Sequence, residues 1–345
     1  MTLIIFILVL GAIIFVHELG HFIFAKLMGV YVYEFSLGMG PRILHKKGKE
    51  TDYCLRLIPI GGFCSMAGEE IEEEEIKVFK NRRLQAKKPW QRFLIMFFGP
   101  GFNFIFAILL LFFVALFCGS YSYEPIITDV NKNYPAQLAG IEKGDKIISI
   151  NGKKVKTTDD ATIYLTLADR KKKTIIKVKK ENDDIKEYKI KPKKENKDGE
   201  TNYKYGITVK GEKKYGFVNS IKYTVVKTGS LFKQMWITVV NLFTGGVKVN
   251  QLSGPVGIYS IVGEQSKAGI SNILYLMAFL SINVGFLNLI PLPAFDGGHI
   301  LFIVIEKIKG SPVSPKVENM IHTVGLFLLM ILMVYITFND ILRLF

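Results

Sequence analysis

Phe15-Val16-His17-Glu18-Leu19-Gly20-His21-Phe22 lies inside an otherwise apolar block that runs from Thr2 to Ala25. A bilayer core is crossed by a helix of about 20 residues rising ~1.5 Å each, so the block is long enough to span one. Within it, charge-capable side chains occur only at His17, Glu18 and His21. Such groups are costly in hydrocarbon and mark function there. Residues four apart on a helix are offset by about 6 Å along the axis and about 40° around it, which turns both imidazoles toward one point. The pattern predicts a metal site within a spanning helix, with Glu18 in reach of a water at the metal.

Working outward, Phe93–Cys118 and Gly269–Phe295 carry no charged side chain, and Ile321–Phe338 is a fourth apolar block with His322 at its edge. A mean hydropathy of +0.27 is therefore concentrated in four candidate spans. A removable signal peptide would place positive charge before its apolar run and small residues at its end. Here the first basic residue, Lys26, follows the run, which predicts a retained helix with its N-terminus outside. Twelve Lys or Arg between Gly29 and Arg92 mark that loop as cytoplasmic. Four spans then leave both termini and residues 119–268 outside. The formal charge of +15 would suit nucleic acid, but no binding module for it accompanies the charge, so no nucleic-acid partner is expected. Cys54, Cys64 and Cys118 have no CxxC spacing, so neither a thiolate zinc site nor a disulfide framework is indicated.

The expected organisation is a first span over 1–28, a loop over 29–92, a second span over 93–118 and a soluble domain over 122–214. An amphipathic helix and linker follow over 215–268, then a third span with a broken end over 269–305 and a fourth over 320–340. Alternation around Tyr31, Tyr33 and Phe35, punctuated by Gly38, Gly40, Gly61 and Gly62, predicts short strands and turns. The acidic run Glu69–Glu75 reads as a solvated loop. Thr174–Val178 and Tyr188–Ile190 read as strands of a half-exposed sheet. Phe217, Ile221, Val225, Leu231, Met235 and Val239 recur at helical spacing among Lys222, Lys227 and Lys233. That pattern favours a helix lying on the membrane surface over a fifth span.

A catalytic zinc takes three protein ligands and keeps one position open. The chain has five histidines, and beyond His17 and His21 the best third ligand is a carboxylate. Asn288-Leu289-Ile290-Pro291-Leu292-Pro293-Ala294-Phe295-Asp296-Gly297-Gly298-His299 ends the third apolar block. Pro291 and Pro293 cannot continue a regular helix, and non-helical backbone at membrane depth is tolerated only where protein or water lines it. Asp296, just past the break, is placed like a ligand. His299 stays open as a supporting group or a rival ligand, while His45 and His322 are assigned neither role.

At these residues the chain resembles the site-2 class of intramembrane zinc metalloproteases, in particular the bacterial members that carry a PDZ domain. FVHELGHF at 15–22 and NLIPLPAFDGGH at 288–299 are similar to the two family motifs; GPGFNF at 99–104 and LSGPVGI at 252–258 resemble further segments. Phe295 stands where Leu is more usual. The resemblance implies zinc held by His17, His21 and Asp296, Glu18 as catalytic acid/base, and Asn283 and Asn288 as contacts to the substrate backbone. It also implies a membrane-re-entrant β-hairpin over 31–66 that holds an extended substrate. Pro135-Ala136 through Asn151-Gly152 resembles a bacterial PDZ domain, whose sheet edge can take up a peptide. The fold expected is thus a polytopic α-helical membrane protein with four transmembrane helices, a membrane-associated β-hairpin region and an inserted extracytoplasmic PDZ-like α+β domain. The lipid bilayer, single-span membrane proteins such as anti-sigma factors, and signal-peptide remnants are the expected partners. A multi-pass protein of the bacterial cell membrane follows, with its active site near the cytoplasmic side.

A helical substrate hides its carbonyls in hydrogen bonds and must unwind before it is cut. Two other classes fit less well. A metal transporter would spread ligands along several helices, and an inactive PDZ scaffold would have no use for Glu18 beside the metal.

Overall fold

The computed structural model describes residues 1–68, 80–197, 200–246 and 252–343; the Glu69–Glu75 run lies outside them. The chain divides into two compact units, Met1–Leu111 with Val249–Phe345, and Phe112–Lys248.

In the first unit, α1 (Thr2–Leu27) leads through Met28 and Gly29 into a hairpin of β1 (Val32–Lys47) and β2 (Asp52–Met66). Phe35 stands opposite both Cys64 and Tyr53, and Leu55 opposite both Leu37 and Leu44, so the two long strands double back into a small sheet. The base of the hairpin is buried with α1 through Val30, Val32, Phe35, Cys64 and Met66. Its far end shows Met39, Ile43, Leu44, Leu57 and Ile58 to the outside. Glu34 is buried at the base, where Arg56 and Arg42 both bond its carboxylate. Burial alone would raise its pKa, but those hydrogen bonds outweigh it and hold the acid below its ordinary range.

The helix α2 (Pro89–Cys118) crosses α1 at close range. A Cβ on Gly20 would overlap the Phe98 carbonyl, and one on Gly99 would overlap the His21 ring. Small residues at helix crossings allow this approach, and both motifs carry one for that reason.

The second unit is a mixed α/β fold. It holds β3 (Ser120–Tyr121), β4 (Ile127–Val130), a short α3 (Pro135–Leu138), β5 (Lys146–Ile150), β6 (Lys153–Lys154) and α4 (Thr158–Thr166). Then come β7 (Thr174–Lys179), β8 (Ile185–Ile190), β9 (Lys193–Lys197), β10 (Glu200–Lys204), β11 (Ile207–Val209) and β12 (Lys213–Lys214). The main sheet runs β6-β5-β7-β8. Asn151 and Gly152, both at positive φ, turn β5 into β6, the geometry that an Asn-Gly hairpin favours. Ile127, Ile147, Ile150, Ile176 and Val178 fill the core; Ile176 and Val178 follow the alternation of β7, and a register shift in β5 lets Ile147 and Ile150, three apart, both face inward.

Phe217–Phe243 forms one helix, α5. Lys227 bonds Asp159 at 2.7 Å and Lys233 bonds Asp160 at 2.6 Å, both on α4. The buried side of α5 holds Ser220, Thr224, Ser230 and Leu231, while Phe217, Ile221, Val225, Trp236 and Phe243 are exposed. Two neighbouring acids on α4 pair with Lys227 and Lys233, and Lys222 stays exposed.

The rest of the first unit is α6 (Pro255–Lys267), α7 (Ile270–Leu289), α8 (Asp296–Lys309) and α9 (Pro315–Leu342). The helices extend beyond the apolar blocks: the second starts at Pro89, the fourth runs from Pro315 to Leu342, and α6 lies within 215–268. Helices are set by backbone hydrogen bonds, so they run past the edges of apolar blocks. Among the described residues four helices are long and apolar enough to cross a membrane: α1, α2, α7 and Lys316–Leu342 of α9.

Candidate active site and metal centre

His17 and His21 are one turn apart on the buried side of α1, 9 % and 6 % exposed. Their Nε2 atoms lie 3.2 Å apart. Asp296, the first residue of α8, places Oδ2 3.1 Å from His17 Nε2 and Oδ1 3.4 Å from His21 Nε2. Asp296 Oδ2 is buried without a hydrogen bond. Four-coordinate zinc with bonds of ~2.05 Å has ligand atoms ~3.3 Å apart along each tetrahedral edge. The two Nε2 atoms are spaced like such an edge, each has its own Asp296 oxygen 3.1–3.4 Å away, and the buried Oδ2 without a hydrogen bond is suited to a cation among them. The group fits zinc.

The neighbours of each imidazole agree with that fit. His21 Nδ1 is 2.9 Å from the Ile95 carbonyl, an acceptor, so the ring proton sits on Nδ1 and the Nε2 lone pair faces Asp296 and His17. His17 Nδ1 lies 3.2 Å from the side-chain nitrogen of Asn103, which is fully buried on α2, and Asn103 Oδ1 has no partner. Turning the Asn103 amide over pairs that oxygen with His17 Nδ1–H and frees the second Nε2 lone pair as well. Sequence reasoning missed Asn103; its only signal was its place in Gly99–Phe104.

Glu18 lies beside the pair, and the Cys64 backbone N–H of β2 bonds its carboxylate. Gly62 approaches so closely that a Cβ there would sit 3.5 Å from Glu18 Cγ. A cavity of about 860 Å³ is lined by His17, Glu18, His21, Asp296 and His299 together with hairpin residues such as Glu34 and Arg42. Glu50, near its rim, receives hydrogen bonds from Arg82 and Lys26, which push its carboxyl down to about 2. Asn283 and Asn288 are half-buried on α7 and are not among the residues lining the cavity.

His299 lies outside the His17–His21–Asp296 group and belongs to a second cluster with Glu318 and His322. That cluster suits a metal poorly. The two rings stack at 3.9 Å and 14°, so their in-plane lone pairs run side by side and do not converge. His322 Nδ1 is already an acceptor for the Ala294 N–H at 3.1 Å, which puts the proton of a neutral ring on Nε2. His45, on β1, stands opposite Cys54, away from both groups.

A family model described as peptidase family M50 matches residues 5–332. The chain belongs to this family. It is similar to the regulator of sigma-W protease RasP of Bacillus subtilis, 32 % identical over 423 residues that cover 100 % of this chain and 99 % of the relative. Zinc metalloprotease RasP of Bacillus licheniformis is likewise 32 % identical over 421 residues, with 100 % and 99 % covered. A chain of Clostridium perfringens is 39 % identical over 309 residues, 89 % of each chain. The protein is a zinc metalloprotease of the intramembrane type, with zinc as its cofactor and several membrane-crossing helices.

Proposed function

We propose that the protease cuts the membrane segments of single-span proteins, using His17, His21 and Asp296 to hold zinc and Glu18 as its acid/base. The observation that carries this reading is the convergence of the two imidazole Nε2 atoms, 3.2 Å apart, on the Asp296 carboxylate, each with an oxygen at 3.1–3.4 Å, beside Glu18 at one cavity. Zinc supplies Lewis acidity at that point. Glu18 takes the proton of the attacking water as its oxygen adds to the scissile carbonyl carbon. It then delivers that proton to the amine nitrogen as the C–N bond breaks. The Cys64 N–H and the close backbone at Gly62 keep the Glu18 carboxylate aimed while the proton moves.

The β2 edge next to Glu18 supports binding of an unwound substrate as an added strand, and the apolar far end of the hairpin supports insertion of that hairpin into lipid. Asn283 and Asn288 act, on this reading, before chemistry, offering donors and acceptors to an opening substrate helix. Residues 122–214 form a PDZ-like domain that screens ectodomains, and the apolar stripe of α5 lies on the membrane surface. The 29–92 basic excess supports a cytoplasmic-side active site with both termini and the PDZ-like domain outside. The Bacillus subtilis relative is named a regulator of sigma-W protease, which supports anti-sigma factors as substrates, with signal-peptide remnants as a second group.

The test uses purified full-length protein and a single-span substrate in detergent. Wild type should carry about one zinc per chain, Glu18→Gln should keep the zinc and lose cleavage by at least ~100-fold, and His21→Ala should lose both. Cleavage by Glu18→Gln at the wild-type rate would overturn the assignment.

A further inference from the structure

The apolar stretch of α9 is only 6 % buried, yet one stripe near its start is packed tightly. Glu318, His322 and Gly325 share a helical face at spacings of four and three. That face meets the 290–299 segment at three points. A Cβ on Gly325 would overlap Pro293; His322 Nδ1 accepts the Ala294 N–H; and Glu318 Oε1 lies 3.2 Å from His299 Nδ1.

Ala294 has a φ of +71°, in the left-handed region that a non-glycine residue seldom occupies. Pro291 and Pro293 have removed the helical pattern around it. Its N–H is therefore held by a side chain from another helix, two residues before Asp296. The same His322 ring stacks on His299, three residues after Asp296. Gly298 lies under that ring with no room for a side chain, since a Cβ would overlap the Leu292 carbonyl oxygen and sit 3.0 Å from His322 Cε1. Asp296 is thus fixed on both sides through a single imidazole.

We propose that His322 is a positioning residue of the metal centre, acting through Ala294 and His299 to fix where the Asp296 carboxylate points. This rests on the reading of Asp296 as a zinc ligand. Partners that hydrogen-bond a ligand directly typically change metal affinity 10–100-fold, and His322 acts one step further out, through the Ala294 backbone, so the lower end of that range is expected.

The experiment compares full-length His322→Phe, His322→Asn and His322→Gln with wild type and Asp296→Ala. Zinc affinity is read by competition with a chelator, and ligand geometry by the visible spectrum of the cobalt-exchanged protein. His322→Phe keeps a stacking ring without the acceptor, and should weaken zinc binding roughly 10-fold and alter the cobalt bands. His322→Asn sets an amide oxygen near the position of the lost Nδ1 but gives up the stack on His299, and should fall between wild type and His322→Phe. His322→Gln sets its oxygen one bond too far and should resemble His322→Phe. Wild-type affinity and cobalt bands in His322→Phe would overturn the proposal. If His322→Phe does not fold, the Asn and Gln variants decide, and equal affinity in both would overturn it too. Full metal binding by Asp296→Ala would instead remove the ligand assignment itself.

Discussion

Asn103 is fully buried on α2, and its side chain reaches across to His17 on α1. The Ser281 hydroxyl donates to its backbone carbonyl at 2.9 Å, which ties the same turn to α7. If His17 is a zinc ligand, this contact fixes which of its nitrogens carries the proton. Asn103→Leu should therefore weaken zinc binding about 10–100-fold, whereas Asn103→Asp, which retains an acceptor, should lose much less. Dialysis against a graded chelator series, with zinc counted by mass spectrometry, reads the difference; equal losses in the two variants would refute the role. The HExxH spacing made His17 and His21 legible in the sequence because helix geometry alone brings them together. Asn103 is 86 residues away in sequence, and no local period connects it to His17.

Elements are joined by a few polar clasps. Asp340, buried near the end of α9, accepts the N–H groups of Gly254 and Gly257 at 2.8 Å each. It fills the donor-rich start of α6, where a carboxylate is favoured by unpaired N–H groups and by the helix dipole. Asp340→Leu should cost about 2 kcal/mol or more in thermal unfolding, because it leaves those donors buried and unpaired, and Asp340→Asn should recover part of it. The Gly-Pro-Val-Gly turn of 254–257 was legible only as a family segment; its purpose depends on a residue more than 80 positions later.

The hairpin has a clasp of a different kind. Glu50 accepts from Arg82 and Lys26, and its carboxyl is lowered from 4.5 to about 2. A lowered acid stabilises the fold while it is ionised in both states, so its contribution is complete above pH ~4.5 and fades as pH falls toward ~2. The side chain is 38 % exposed, so solvent screens the effect and it should be modest. The gap in melting temperature between wild type and Glu50→Gln should accordingly be constant from pH 7 to about 5 and narrow below that. A gap that widens on acidification would contradict the pairing.

At the scale of the whole molecule, sidedness can be read directly. Lys88 and Lys186 are both exposed, one at the end of the basic loop and the other on β8. Single cysteines at these positions, in a chain without Cys54, Cys64 and Cys118, should react with a membrane-impermeant thiol reagent from opposite faces of the membrane. Labelling of both from the outside would reverse the cytoplasmic placement of 29–92.

The sequence alone made legible the apolar spans, the His17–His21 pair and the neighbouring Glu18. Hydrocarbon sets a minimum length for a helix, and an i, i+4 pair needs nothing beyond the helix to converge. It also marked the break at Pro291 and Pro293, because a missing backbone donor is a property of the residue. Only the tertiary structure decided that the carboxylate past that break reaches His17 and His21, that Asn103 sits behind His17, and that α9 reaches Ala294 and His299 through His322. It also paired Lys227 and Lys233 of α5 with Asp159 and Asp160 of α4. These are contacts between distant segments, and their free energy depends on which surfaces the folded chain brings together, which no periodicity along the sequence records.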